Sequence, residues 1–244
     1  MAAAIASPHG GTYSSGVLPP SVIPLGDRAL TIDVPAADGV STRDRIASLT
    51  ARLRAEAMPG ITALVPGIRT LTVHYEPLTV SADRLAYHLD TQVRTTIVAP
   101  SPEPAPVVIP VCYGLEHGPD LAAVASFHAT TAEAIIAAHT DGVYTVAMIG
   151  FLPGFPYLDG LDAALHTPRR SAPRTLVPAG SVGIGGSSTG IYPFASPGGW
   201  QLIGRTPSAL FDARHDPPAL LAPGDRVRFE SISDARYRAL AGTR

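Results

Sequence analysis

The first hundred residues alternate between two hydrophobic periodicities, one typical of strands and the other of helices. Four segments have the alternation or β-branched content of strands: residues 30–34, 61–65, 71–75 and 95–98. Between them, apolar positions three or four residues apart predict two helices, which begin near Ser41 and near Ser81. The resulting order β-α-β-β-α-β predicts an α+β, ferredoxin-like split βαβ domain over residues 21–99.

Proline then occupies every second position from Pro100 to Pro106. Such a run favours extended polyproline II, so we predict a semi-rigid linker over residues 100–106 and a domain boundary there. Residues 1–20 contain Gly-Gly and Pro-Pro pairs and lack a hydrophobic period, which predicts a flexible tail.

The second predicted domain, residues 107–244, opens with an apolar strand over 107–113, followed by two helical patterns. Residues 144–152 form an apolar run suited to a buried strand. From residue 150 to residue 224 the chain is dense in glycine and proline, yet short apolar runs recur between these turn residues. That pattern predicts short strands joined by tight turns, as in a small β-barrel.

Composition narrows the chemistry that this chain can perform. All 18 basic residues are arginine, which excludes a P-loop lysine, a Schiff-base lysine and the lysine of an amidase-type triad. Only 16% of residues are charged and the net charge is −2, so we expect neither nucleic acid nor an anionic membrane as a partner.

The cysteine count, the histidine spacing and the lengths of the apolar runs give three further expectations. Cys112 is the only cysteine, which excludes an internal disulfide and a cysteine-based zinc site. The eight histidines include neither an H-E-x-x-H motif nor a pair four residues apart, so we expect no metal site. With no secretory signal and no apolar run of about 18 residues, the cytoplasm is the expected compartment.

Two glycine-rich motifs resemble known functional loops only in part. Residues 186–190 match G-x-S-x-G, but a strand and a turn follow where a nucleophile elbow needs a helix. Residues 183–188 lack the third glycine of a dinucleotide-binding loop. The wider run 178–190 is compatible equally with an anion-binding backbone nest and with a chain of tight β-turns.

Several longer runs together resemble one family. They are residues 144–157 (YTVAMIGFLPGFPY), 167–169 (TPR), 173–174 (PR), 177–183 (VPAGSVG), 189–193 (TGIYP) and 196–206 (SPGGWQLIGRT). They closely resemble the bacterial 5-oxoprolinase B-subunit family, also called allophanate hydrolase subunit 1 or KipI-like. Residues 24–30 are similar to the N-terminal strand of that family, more weakly.

The resemblance implies an N-terminal α/β domain followed by a cyclophilin-like β-barrel. It also implies a complex with a C component of the allophanate hydrolase subunit 2 or KipA type, and with an A component. That complex would convert 5-oxo-L-proline to L-glutamate with ATP as co-substrate, and phosphoryl transfer of this kind usually needs Mg²⁺. The isolated chain is expected to be inactive.

Candidate site residues follow from the matching motifs, apart from His139, which is the best titratable candidate because it lies just before the motif-bearing strand. The expected catalytic residues are His139, Arg169 and Arg174. The expected substrate- or nucleotide-binding residues are Phe151, Pro153, Phe155, Tyr157, Ser181, Trp200, Gln201 and Arg205. Arginine suits this chemistry because its planar fork matches carboxylate and phosphate, although a loop arginine is more often solvated or ion-paired.

Two other functions are compatible with the same resemblance. One is a KipI-like regulatory protein that inhibits a sensor histidine kinase by docking. The other is a subunit of a urea or allophanate degradation complex, although a chain without lysine cannot perform amidase-type allophanate hydrolysis alone. Glycine- and proline-rich loops with three arginines favour the role in the enzyme complex, because they suit ligand phosphates better than a flat docking face.

Overall fold

The computed structural model of the protein describes residues 22–36, 40–96, 98 and 105–242. The chain divides into two compact units, Met1–Ser101 and Pro102–Arg244. The predicted tail, residues 1–20, and most of the predicted linker, residues 100–104, lie outside the described residues.

The first unit is a four-stranded antiparallel sheet with two helices. Its elements are β1 (Val22–Pro24), β2 (Ala29–Asp33), α1 (Thr42–Glu56), β3 (Ile61–Pro66), β4 (Thr70–Tyr75) and α2 (Ala82–Thr95). The strand order is β1-β2-β4-β3. The predicted periodicities of β2, β4 and both helices are confirmed, because their apolar positions form one buried core. The alternation predicted for residues 61–65 is not, because a register shift between Ile61 and Ala63 turns Leu64 toward the core and leaves Val65 exposed.

Serine side chains start both helices of this unit. The hydroxyls of Ser41 and Ser81 accept hydrogen bonds from the backbone N–H groups of Asp44 and Arg84. Each cap satisfies an N–H group that has no partner within its helix, which explains why the helices begin where the sequence predicts.

The predicted last strand of this unit, residues 95–98, is not observed among its described residues. Thr95 ends α2, and the N–H and hydroxyl groups of Thr96 donate to Gln92 O as the helix closes. The sheet edge beside β2 is instead occupied by β1, which precedes it in the chain. The ferredoxin-like arrangement is therefore not confirmed, because local hydrogen bonding extends α2 into the threonines that resembled a strand.

The second unit is built around a closed barrel of seven strands in the order β10-β7-β6-β13-β5-β12-β9. Its strands are β5 (Val107–Tyr113), β6 (Val143–Ile149), β7 (Pro156–Asp159), β8 (Arg174–Val177), β9 (Ser181–Gly185), β10 (Ser188–Ile191), β11 (Ser196–Gly198), β12 (Gln201–Arg205) and β13 (Arg226–Ser231). Its helices are α3 (Leu121–Phe127), α4 (Ala132–Asp141) and α5 (Asp234–Ala241), with a short 3₁₀ helix at Ala163–Leu165. Strands β8 and β11 pair outside the barrel as a two-stranded ribbon. The barrel is consistent with a cyclophilin-like fold.

The interior of the barrel is filled by aliphatic and aromatic side chains from its strands and from α3 and α4. Because the barrel closes, the short strands leave few unpaired edges, and the many turns do not expose the core. Among the described helices, none is individually long and apolar enough to cross a membrane; α3 and α4 pass that test only as a pair bent by 94°.

The glycine-rich run 178–190 forms tight turns between barrel strands. Strands β9 and β10 pair as a hairpin in which Gly186 adopts a φ of +70°. The backbone N–H groups of this hairpin are used in strand pairing, so the β-turn alternative is observed rather than the anion nest. The G-x-S-x-G sequence lies in this hairpin, and no helix follows it in this described segment.

Candidate functional site

An open pocket lies between α3 and the loop that precedes β8. Its volume is about 390 Å³. The lining residues are Ala123, Val124, Phe127, Thr167, Pro168, Arg169, Arg170, Ser171, Ala172 and Gln201. Two of these side chains are arginines and, among the described residues, none that lines the pocket is acidic. The pocket is therefore suited to an anionic ligand.

The loop beside the pocket is fastened by a buried carboxylate, that of Asp120. Arg174 donates two hydrogen bonds to it, from Nη1 to Oδ2 at 2.9 Å and from Nη2 to Oδ1 at 2.8 Å. Arg170 Nη1 lies 3.3 Å from Oδ1, and the backbone N–H of Leu202 donates to Oδ2 at 2.7 Å. Asp120 thereby links α3, the ribbon and strand β12.

Asp120 stands at the N-cap of α3, yet its side chain makes no capping hydrogen bond. The carboxylate points instead to the two arginines. Its own N–H donates to Leu202 O at 2.9 Å, so the two residues exchange hydrogen bonds. Sequence reasoning missed Asp120, Arg170 and Thr167, because their partners are remote in the chain.

The predicted anion partner Arg174 is already bound within the protein. Its guanidinium forms a bidentate pair with Asp120 and is only 23% exposed. Such a pair satisfies the planar fork of arginine, so Arg174 positions the loop rather than presenting a free fork to the pocket.

Arg169 differs from Arg174 in this respect. Its guanidinium carbon lies 5.7 Å from the ring centroid of Trp200, a cation–π arrangement. Within the described residues it forms no ion pair. Arg169 is therefore an exposed positive charge, held over an aromatic ring at the pocket and available to an anion.

Behind Arg169 lies a cluster of aromatic side chains. Phe155 contacts Tyr157, Tyr192 and Trp200 with ring centroids 4.8, 5.1 and 5.6 Å apart. Phe155 and Trp200 are buried, so they support the site from the core instead of lining the pocket. Gly185 allows this packing, because a Cβ atom there would lie 2.5 Å from the Trp200 ring.

The charges of the two arginines influence the pKa of Tyr192, a member of this cluster. Burial raises the pKa of Tyr192, while a backbone hydrogen bond from Trp200 and the charges of Arg169 and Arg174 act in the opposite direction. Tyr192 remains protonated at neutral pH and can donate a hydrogen bond.

Two predicted binding residues lie on an exposed turn outside the pocket lining. Phe151 is 61% exposed and adopts a φ of +67°, which is unusual for a bulky residue, and Pro153 is exposed beside it. The Phe151 ring contacts Phe155 edge to face at 5.6 Å. The turn is thus attached to the aromatic cluster, although the pocket does not include it.

The side chains of the remaining polar candidates donate hydrogen bonds to backbone carbonyl oxygens. Gln201 Nε2 donates to Pro168 O at 2.9 Å, so this lining residue shapes the pocket loop. Arg205 Nε donates to Ala179 O at 2.7 Å, and within the described residues Arg205 forms no ion pair. Ser181 is buried and donates to Pro178 O at 2.8 Å, which makes it a turn-stabilising residue.

His139 lies in the barrel core and not beside the arginines. It is fully buried, with Nδ1 2.7 Å from the Tyr113 hydroxyl and Nε2 3.0 Å from the Thr189 hydroxyl. Its ring stacks on Phe229 at 4.5 Å. Burial lowers the pKa of His139 to about 3, so the imidazole is neutral at physiological pH. The position before β6 that made it a catalytic candidate is thus explained by core packing.

We expect His139 to make the barrel sensitive to acid. The unfolded chain, with a histidine pKa of 6.5, takes up a proton that the folded chain refuses down to about pH 3. The free energy of unfolding should therefore fall as the pH drops below 6.5, by roughly 2 kcal/mol between pH 6.5 and about 4.5. Urea titrations followed by fluorescence of Trp200, the single tryptophan, measure this slope.

The variant His139→Gln should flatten that slope, whereas His215→Gln, at an exposed histidine, should leave it unchanged. Equal slopes in the wild type and His139→Gln would show that the imidazole is not held neutral.

Comparison with known proteins places this architecture in a defined class. Residues 20–221 match the family described as "Carboxyltransferase domain, subdomain C and D". The barrel strands up to β12, the ribbon and the arginine loop all lie within these residues.

Two curated relatives narrow the class. The chain is 45% identical over 209 residues to the B subunit of 5-oxoprolinase from Haemophilus influenzae, covering 86% of this chain and 96% of that protein. It is 40% identical over 225 residues to the B subunit of 5-oxoprolinase from Bacillus subtilis, covering 88% and 94%. The chain belongs to the 5-oxoprolinase B-subunit family, as its sequence motifs predict.

Solved structures agree with this placement. The crystal structure of TTHA0988 matches with a TM-score of 0.72 and 36% identity over 84% of this chain; the chain spans 40% of that protein. The K. lactis urea amidolyase matches with a TM-score of 0.70 at 20% identity, over 92% of this chain and 16% of the larger one. The second likeness shows the shared fold alone.

Proposed function

We propose that this chain, as a subunit of 5-oxoprolinase, acts in the ATP-dependent conversion of 5-oxo-L-proline and water to L-glutamate. The observation that carries the proposal is the open pocket with Arg169 and Arg170 and, among its described lining residues, no acid. Both 5-oxoproline and ATP are anions, and the names of the curated relatives indicate the same enzyme.

The chemistry explains the need for ATP. A lactam carbonyl is a weak electrophile because amide resonance stabilises it. Transfer of the γ-phosphoryl group to the carbonyl oxygen forms an O–P bond, breaks the bond to ADP and releases the N–H proton, giving an imidate-like phosphate. Water then adds to the activated carbon, and cleavage of the C–N bond with protonation of nitrogen opens the ring to an acyl phosphate. A second water hydrolyses the acyl phosphate to glutamate and phosphate.

Arg169 is the residue of this chain best placed to contact the anionic substrate or the transferring phosphoryl group. Because the chain lacks lysine, charge stabilisation has to come from arginine and from partner chains. Arg174 and Asp120 position the loop, while Trp200 supports Arg169 from below. We assign Mg²⁺ to the nucleotide phosphates, since no described carboxylate lines the pocket.

The open pocket also favours a composite site that a partner completes. We propose that the C component of 5-oxoprolinase, of the allophanate hydrolase subunit 2 or KipA type, closes the site for lactam activation, and that ring opening needs the A component. We place the complex in the cytoplasm, in keeping with the buried free thiol of Cys112.

Reconstitution tests the proposal. The purified chain alone should hydrolyse neither ATP nor 5-oxoproline, while the chain with co-expressed A and C components should release glutamate and ADP together. Glutamate release by the lone chain would contradict the composite site. Failure of the full mixture with 5-oxoproline, but turnover of a ureido amide, would favour the urea or allophanate alternative. Inhibition of kinase autophosphorylation without any turnover would favour the KipI-like alternative.

A further inference from the structure

Three side chains with metal-binding atoms meet at the end of the barrel where β5 leaves the sheet. They are Cys112 in β5, His117 in the turn that follows it, and Asp234 in the first turn of α5. Their ligand atoms all lie within 4.8 Å of one another. None of the three lines the arginine pocket, so this cluster is independent of the proposed function.

The turn after β5 folds His117 back toward Cys112. Gly114 and Leu115 adopt φ values of +69° and +48°, and the N–H of His117 donates to Gly114 O at 3.0 Å. The His117 ring packs against the Tyr237 ring at 4.3 Å, and its Nε2 lies 3.0 Å from Asp234 Oδ1. The imidazole is therefore held in one orientation, with its side chain 6% exposed.

The Cys112 thiol is the least satisfied member of the cluster. The residue is 4% exposed, and within the described part of the chain its sulfur makes no hydrogen bond. Burial, together with the charges of Asp234 and Glu116, raises the pKa of this thiol. A protonated, buried thiol is a poor nucleophile, so a cysteine–histidine–aspartate catalytic site is not what this arrangement favours.

A bound cation would instead favour the thiolate form of Cys112. A divalent metal displaces the thiol proton and neutralises the carboxylates that oppose thiolate formation. Thiolate, imidazole and carboxylate together form a ligand set that suits Zn²⁺. Glu116, whose Oε1 lies 3.9 Å from His117 Nε2, stands at the exposed side of the cluster.

We propose that Cys112, His117 and Asp234 form a binding site for Zn²⁺ or a similar borderline divalent cation, with Glu116 or water as the fourth ligand. The proposed site would overturn two sequence expectations: that a single cysteine excludes a cysteine-based zinc site, and that the histidine spacing provides no metal site. One thiolate can share an ion with histidine and carboxylate ligands. Only the tertiary structure reveals it, since Asp234 lies far from Cys112 in the chain. The ion would fasten α5 to the end of β5.

Arg238 would compete with the metal ion for the carboxylates of Asp234 and Glu116. Its Nη2 lies 2.9 Å from Asp234 Oδ2 and 3.8 Å from Glu116 Oε1. The Arg238 side chain is largely exposed, and an exposed ion pair of this kind is weak, so the guanidinium can move aside. Removing it should therefore strengthen metal binding.

The test uses the full chain, freed of any histidine tag and stripped with a chelator, and titrated with Co²⁺ and then with Zn²⁺. We expect one equivalent to bind, with a thiolate-to-cobalt charge-transfer absorption that Zn²⁺ displaces. Cys112→Ser should abolish that absorption, and Asp234→Asn should weaken binding more than about tenfold. Arg238→Gln should tighten binding several-fold. As a matched control, His88→Gln, which removes another histidine paired with a carboxylate, should change nothing.

Substoichiometric binding would overturn the proposal, as would a charge-transfer band that survives in Cys112→Ser. If Cys112→Ser does not fold, Asp234→Asn decides the matter, because its side chain is partly exposed at a helix start. Unchanged affinity in that variant would then refute the site.

Discussion

Replacing Asp120 with alanine should lower the free energy of unfolding of the barrel unit by about 3–5 kcal/mol. The substitution leaves the bidentate fork of Arg174 and the backbone N–H of Leu202 without their acceptor. A guanidinium that stays largely buried without its counter-ion costs more than the pair contributed. Trp200 lies in the barrel unit, so urea unfolding followed by its fluorescence isolates this unit.

Two comparisons show whether the loss comes from the buried pair. Asp212→Asn removes the charge of a half-buried carboxylate whose partner, Arg214, is exposed, and the amide oxygen can still accept a hydrogen bond. The unfolding midpoint should therefore move far less than in Asp120→Ala. Adding Arg174→Met to Asp120→Ala should recover part of the lost stability, because the unpaired charge is then gone. Equal effects of Asp120→Ala and Asp212→Asn would refute the role of Asp120 as the fastening point of the loop.

Replacing Arg169 with alanine should reduce kcat/KM of the reconstituted complex for 5-oxoproline about a hundredfold, the effect typical of losing one charge-stabilising group. The free energy of unfolding should fall by no more than about 1 kcal/mol, because Arg169 is exposed and, among the described residues, forms no ion pair but only the cation–π contact with Trp200. Coupled measurement of glutamate and ADP release gives the kinetic constants, and Trp200 fluorescence reports the stability.

The exposed Arg214 provides the matched control. Arg214→Ala removes an equal charge outside the pocket lining, so the kinetic constants should not change. Arg174→Ala should instead lower both activity and stability, since Arg174 holds the loop through Asp120. Full turnover in Arg169→Ala would show that Arg169 does not bind the anionic substrate or phosphoryl group.

Much of the site could not be predicted from the sequence, and Asp120 shows why. Arg169 and Arg174 both lie in glycine- and proline-rich loop motifs, and their sequence context does not separate them. The structure distinguishes them by partner, because Asp120 pairs with Arg174 while Arg169 lies over Trp200. A pairing partner 54 residues away leaves no local signature.

His139 is a residue that the sequence suggested for the site but that the structure places in the barrel core. A histidine near the end of a helix and just before a motif-bearing strand resembled a titratable site residue. Whether it titrates depends on burial and on the hydroxyls of Tyr113 and Thr189, which come from two barrel strands. Whether the His139 side chain is exposed to water depends on the packing of the barrel around it. The apolar pattern of the helix carries no information on that packing.

The sequence by itself determined the local structure and the family: the serine caps of α1 and α2, the apolar faces, the glycine turns of a small barrel, and the motif runs. These depend on neighbouring residues, whose backbone preferences and periodicity act before the chain is packed. The tertiary structure alone decided which strand occupies the sheet edge, which loop arginine pairs most closely with Asp120, and which three side chains converge beside β5. Those outcomes depend on distances and burial between remote segments, which exist only once the chain has closed on itself.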